Sequence, residues 1–316
     1  MRWLLAGFVA LFSTLALSQG FPERPVRIIV PLTPGGSPDT IARAISAGLQ
    51  GAWTQPVVVE NRPGGSQNIG ADLVAKSAPD GHTWLLAPDN VFSVNPHLGK
   101  QPFDPLADFI PVTQLARIQF LLVVHPSLPV NSVQDLVAYA KSRPGELNHG
   151  SSGNGSPQHL GAAMLQLLTG TKMNHVPYKG AAPAVADLLP GRIQVWIGAA
   201  NTLLPHIKEG KLKLLASSAP TRFPNLGDTP TIAESVPGYG LDPWLGLFVP
   251  AKTPTAVVEK IHSDATKIVN APDLKSKLAA QGIMIETNSP AEFARSIRED
   301  NARWGKVIKE AGIKGE

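Results

Sequence analysis

The chain of 316 residues has no cysteine, only three tyrosines, and aromatic residues at just 6% of its positions. Without thiols it can build neither a disulfide framework nor a thiolate metal site, and a lipid-modified cysteine at an export cleavage site is excluded. So few rings leave no base-stacking platform. The balance of 28 Lys+Arg against 24 Asp+Glu is too mild for a nucleic-acid footprint. The densest basic cluster, Lys208, Lys211 and Lys213, reads as a solvated turn between elements. The eight histidines stand singly, with no His-Glu-x-x-His or similar spacing, so no metal and no cofactor is expected. After the first residues, no apolar run reaches the roughly 18–20 positions that a membrane-spanning helix requires.

What is present begins with a leader. Arg2 precedes an apolar run from Trp3 to Leu17, and Ala16, Ser18 and Gly20 offer small residues for cleavage, which is the secretory pattern. Residues 1–20 are therefore expected to be a signal peptide and the mature chain to be periplasmic. Mass spectrometry of the protein from its native periplasm should find an N-terminus near residues 19–21; an intact Met1 in the cytosol would contradict export.

Three strand-to-helix turns follow one pattern. Arg27 to Val30 is an apolar strand that runs through Pro34-Gly35-Gly36 into a helix, with Ser37 as expected N-cap and Pro38 as first helical residue. Asn148 to Pro157 repeats the device, ending in Gly155-Ser156-Pro157 before a periodic helix carrying Leu160, Met164, Leu167 and Leu168. Val57 to Val59 leads through Pro63-Gly64-Gly65 to Ser66, expected to cap a helix that buries Ile69, Leu73 and Val74. Helix N-termini carry unpaired amides and a positive dipole end, so such turns suit an anion, and two of them half a chain apart suggest two lobes meeting one ligand.

Strands and helices alternate along the chain, which predicts α/β lobes with mostly parallel sheets. Phe120 to Val124 and Trp244 to Val249 read as crossover strands. On that reading residues 21–123 and 246–316 form lobe I, residues 124–245 form lobe II, and closure is by hinge.

Each candidate has a structural and a functional reading. Ser37, Ser66 and Ser156 cap helices or also hold the ligand. Asp39 complements a helix dipole, or it meets a cationic group on the ligand. Tyr178 and Trp244 are core rings or stacking platforms, and His159 is the one histidine placed near the pocket. No catalytic residue is assigned. A serine hydrolase would need Gly-x-Ser-x-Gly at a strand-helix elbow, which Gly150-Ser151-Ser152-Gly153 does not supply, and neither a phosphate-binding loop nor Gly-x-Gly-x-x-Gly is present. A secreted hydrolase would have to assemble its triad in three dimensions only.

The turns, taken with Tyr178-Lys179-Gly180, Asp187-Leu188-Leu189, Pro205-His206-Ile207-Lys208 and Thr229-Pro230-Thr231 with Glu234, occur in an order that resembles the Bug-type solute-binding proteins. These are the periplasmic receptors of tripartite tricarboxylate transporters. The resemblance implies a two-lobed type II periplasmic-binding-protein fold, a Venus flytrap closing on a small organic carboxylate. Carried over residue by residue, it implies ligand contacts from Thr33, Gly35, Gly36, Ser37 and Asp39 on one side and Ser152, Asn154, Gly155 and Ser156 on the other. Ser66, Asn90, Tyr178 and Ala199 are further pocket candidates. It also implies integral-membrane transporter subunits as partners and a monomeric receptor. A binding protein that reports to a sensor kinase is the alternative.

Overall fold

The computed structural model describes residues 20–223 and 226–310, so the leader expected over residues 1–20 lies, but for Gly20, outside the described residues. The chain opens with strands β1 (Val26–Val30), β2 (Val57–Asn61), β3 (Thr83–Pro88) and β4 (Phe109–Ile118). Then come β5 (Phe120–Val124), β6 (Asn148–Ser151), β7 (Asn174–Pro177), β8 (Val195–Ala199) and β9 (Lys213–Ser217), followed by β10 (Trp244–Pro250) and β11 (Ile283–Ile285). The helices are α1 (Ser37–Ala52), α2 (Asn68–Ala75), α3 (Asn90–Ser93), α4 (Asn95–Leu98), α5 (Val133–Ser142) and α6 (Pro157–Thr169). They continue with α7 (Ala181–Leu188), α8 (Ala200–Lys208), α9 (Ile232–Ser235), α10 (Thr255–Val269), α11 (Pro272–Ala279) and α12 (Pro290–Glu310).

Valine, isoleucine and leucine dominate β1 and β5, and these strands, like β8, are buried on both faces because helices cover both sides of each sheet. The strands form two sheets, ordered β11-β4-β10-β3-β1-β2 and β7-β6-β8-β5-β9. Neither is mostly parallel. β1 pairs in parallel with β2 and β3, but β10 runs antiparallel to β3 and β4. In the second sheet β6 pairs in parallel with β7 and β8, whereas β5 lies antiparallel between β8 and β9. The strand by which the chain enters each sheet from the other, β5 in the second and β10 in the first, runs against both of its neighbours.

The expected crossover strands do not cross. All of β5 belongs to the second sheet and all of β10 to the first. The passages are single residues between tethered neighbours. Gln119 donates its N–H to Gly282 O and accepts from Ala200 N, both at 2.8 Å. On the return, Leu241 N bonds Ser218 O while Ile118 N bonds Pro243 O, leaving Asp242 between the two sheets. Arg117 holds that passage by bonding Asp242 at 2.6 Å and Glu286 at 2.8 Å.

Packing differs from the pattern expectation on α2 and α6. Ile69 is 57% exposed, and so are Leu167 (60%) and Leu168 (44%); α6 instead buries Leu160, Ala162 and Leu165. No helix among the described residues is long and apolar enough to cross a membrane.

Candidate ligand-binding cleft

One cleft lies between the sheets, at the ends of strands where α1, α6, α7 and α8 begin. In α/β folds this is where the backbone amides at helix N-termini converge on a ligand. Gly36 and Ser37 reach it from α1, Ser152 and Gln158 from the α6 turn, Ala181 from α7, and Ala199 with Thr202 from α8. Not one lining residue is a lysine, arginine, histidine, aspartate or glutamate. Positive potential in the cleft therefore comes from peptide dipoles. The space left in the cleft is about 50 Å³, and the two lobes touch across it.

Two contacts cross the cleft. Ser37 Oγ donates to Asn201 Oδ1 at 2.7 Å, joining α1 to α8. Gly180, at the start of α7, lies against Thr33 of the β1 turn so closely that a Cβ there would sit 2.1 Å from Thr33 Oγ1.

Of the residues expected at the site, Thr33, Gly36, Ser37, Ser152 and Ala199 line the cleft, while Gly35, Asp39, Ser66, Asn90, Asn154, Gly155, Ser156 and Tyr178 do not. The structure accounts for most of the second group. Burial opposes ionisation of Asp39, but Arg43, the Gly35 N–H and Asn61 outweigh it and hold the carboxyl below its usual range. Arg43 takes both Asp39 oxygens, at 2.9 and 3.0 Å, so no free charge remains there for a cationic ligand group. Ser156 is the N-cap of α6, accepting from His159 N at 3.4 Å, and the Gly155 amide is taken up by His159 Nδ1 at 3.1 Å. Tyr178 donates to Asp187 at 2.9 Å, and burial together with Asp187 pushes its hydroxyl up to about 12. Asn90 is fully buried at the start of α3, its amide donating to Asn95 at 3.4 Å.

Two caps expected from the sequence are absent. α1 begins at Ser37 with Gly36 as N-cap and no side-chain cap, so Pro38 is the second helical residue. Ser66 caps nothing. Gly64, Gly65, Ser66 and Gln67 have φ of 120°, 56°, 50° and 77°, four successive residues on the left-handed side. Such backbone costs a residue with a side chain roughly 1–2 kcal/mol, and strain of this kind collects at ligand sites. The turn delivers Gln67 into the cleft, 2% exposed.

Of the other lining residues, Ile118, Phe120, Pro243, Leu245 and Gln158 went unassigned in the sequence. The first four form an apolar wall with Trp244 beside the two passages, and Gln158 joins from α6. Trp244 is both a core ring and part of this wall, because its indole N–H is fixed on Asp300 at 2.6 Å. Nor do all the histidines stand singly. His149, His175 and His159 stack nearly parallel, with centroids 5.0 Å and 4.0 Å apart, directly behind the Ser151–Ser156 loop. Burial first, and then neighbouring histidines, lower His149 to about 4 and His175 to about 3. Among the described residues no cluster has the geometry to hold a metal.

The two sheets, their two passages and an anion-suited cleft between them define a two-lobed periplasmic-binding-protein fold. Residues 41–313 match the tripartite tricarboxylate transporter family receptor, and the chain belongs to that family. The Bug resemblance holds: the chain is 35% identical to protein BugT of Bordetella pertussis over 300 residues, covering 93% of this chain and 91% of BugT. A protein of R. palustris solved with adipate is 38% identical with a TM-score of 0.90, covering 94% of this chain and 100% of that one. MatC of Rhodopseudomonas palustris, solved with bound malate, is 30% identical with a TM-score of 0.86, covering 91% and 100%. The family is one of receptors, not of enzymes.

Proposed function

We propose that this protein is an extracytoplasmic receptor that closes two lobes on a small organic carboxylate in the periplasm. It acts as a monomer and passes the ligand to integral-membrane subunits of a tripartite transporter. The observation that carries this reading is the convergence of the α1, α6, α7 and α8 N-termini on a cleft with no charged side chain in its lining. Amides and hydroxyls from Thr33, Gly36 and Ser37 on one lobe and Ser152 on the other are the groups positioned to meet a carboxylate. A charge-assisted bond contributes on the order of 1.5–3 kcal/mol, so three or four support micromolar affinity, about −8 kcal/mol, after ordering costs. The relatives solved with adipate and malate support a carboxylate as the ligand class. We place the pivots of closure at Gln119 and Asp242, where the chain passes between sheets.

A thermal-shift screen of the mature protein against organic acids tests this. A true ligand at about 100 times its dissociation constant adds about 2.7 kcal/mol of stability. Its methyl ester is expected to bind at least ~10-fold more weakly, while added salt changes affinity little, because dipoles fixed in a closed cleft are poorly screened. An ester that binds as tightly as the acid would remove the anion site.

A further inference from the structure

The cleft contains two near-fully buried glutamines whose side-chain oxygens nothing in the protein satisfies. Gln67 is 2% exposed and Gln158 is 7% exposed, and each leaves its side-chain Oε1 without a hydrogen-bond partner. They come from opposite lobes, Gln67 from the strained turn before α2 and Gln158 from the first turn of α6, and both line the same space. Left-handed backbone at Gln67 is held only by its surroundings, which is the mark of a residue kept for what its side chain meets. The same space is lined by the apolar wall of Ile118, Phe120, Pro243, Trp244 and Leu245.

Resting on the carboxylate reading above, we propose that Gln67 and Gln158 are specificity-determining residues and that the ligand is a monocarboxylate. Its body is apolar and carries one uncharged hydrogen-bonding group, such as a hydroxyl, that donates its one proton to the oxygen of one glutamine and accepts from the side-chain N–H of the other. A second carboxylate would lie against an apolar wall in a cleft whose lining offers no cation, and a desolvated charge without a partner is strongly disfavoured. A purely hydrocarbon body would leave both glutamine oxygens unpaired, which is also unfavourable.

Three six-carbon acids that differ only at the far end separate these cases by calorimetry: hexanoate, 6-hydroxyhexanoate and adipate. The expected order places 6-hydroxyhexanoate at least about tenfold tighter than either of the others. Gln67→Gly relieves the left-handed backbone and is expected to fold, with a melting temperature no lower than the parent. Gln158→Leu keeps the bulk of the side chain and removes its amide. Each should shrink the hydroxyl preference over hexanoate to within about threefold, with hexanoate itself still bound. Adipate binding tightest, or a hydroxyl preference that survives both substitutions, would overturn the proposal and leave the carboxylate site standing. Failure of every organic acid in the thermal-shift screen to bind would overturn the carboxylate reading itself.

Discussion

Gly180→Ala is expected to lower ligand affinity by at least about a hundredfold, roughly 2.7 kcal/mol. Gly180 has φ of 150° and ψ of 178° at the turn into α7, a conformation essentially reserved for glycine. An added Cβ would lie 2.1 Å from Thr33 Oγ1 and 3.1 Å from Thr33 N. Thr33 belongs to the turn after β1 in the first lobe, so the methyl group obstructs the approach of the lobes at the mouth of the site. The open form escapes that clash. The loss should therefore appear in binding well beyond any loss in the melting temperature of the free protein. Gly170→Ala is the control: Gly170 is also left-handed, with φ of 66°, but nothing lies within 4 Å of its Cβ position. That variant should lose about 1 kcal/mol of stability and bind with parental affinity. Calorimetry on both variants decides the matter, and near-parental binding by Gly180→Ala would show that this contact does not limit closure.

Acid should destabilise the second lobe through its histidine stack. His149 and His175 are held neutral in the fold, at about 4 and about 3, by burial and by the neighbouring imidazoles. In the unfolded chain both titrate near 6.5. Between those limits the unfolded state binds more protons, so stability is complete above about pH 6.5 and falls as the pH is lowered toward 4. For the nearly inaccessible His149 the full loss is about 3 kcal/mol; the more exposed His175 adds less. Melting temperature measured from pH 8 to pH 4 should decline across that window, and His149→Phe, which keeps a ring in the stack, should flatten the decline. An unchanged slope in that variant would assign acid sensitivity elsewhere. The loop in front of the stack should loosen with it, because Ser151 Oγ bonds His175 Nε2 at 2.6 Å and the Gly155 amide bonds His159 Nδ1.

The local devices were legible because they depend on neighbours in the chain. The glycine turns, the strands β1, β2, β5 and β10, the N-cap at Ser156 and the α/β class all follow from propensity and spacing. Similar local sequence did not guarantee similar local structure, however. Ser37 and Ser156 both stand between a glycine and a proline, yet only Ser156 caps its helix. The hydroxyl of Ser37 turns instead to Asn201, a residue of the other lobe. Asp39 was legible as a first-turn acid, while its pairing with Arg43 depended on which way both side chains leaned. At Ser66 the Gly-Gly pair admitted a left-handed run, and that run, with no serine cap, set the start of α2.

By itself the sequence determined the absence of thiol chemistry, the strand-to-helix turns and their anion-suited amides, since these rest on residue identity and contacts a few positions apart. Tertiary structure decided which turns share a cleft, that Gln67 and Gln158 face one space, that three scattered histidines stack, and that passage between the sheets falls at Gln119 and Asp242. Those outcomes depend on contacts between residues tens to hundreds of positions apart. Such contacts are set by how the two sheets pack and by which polar groups find partners across the gap, and neither is encoded in local spacing.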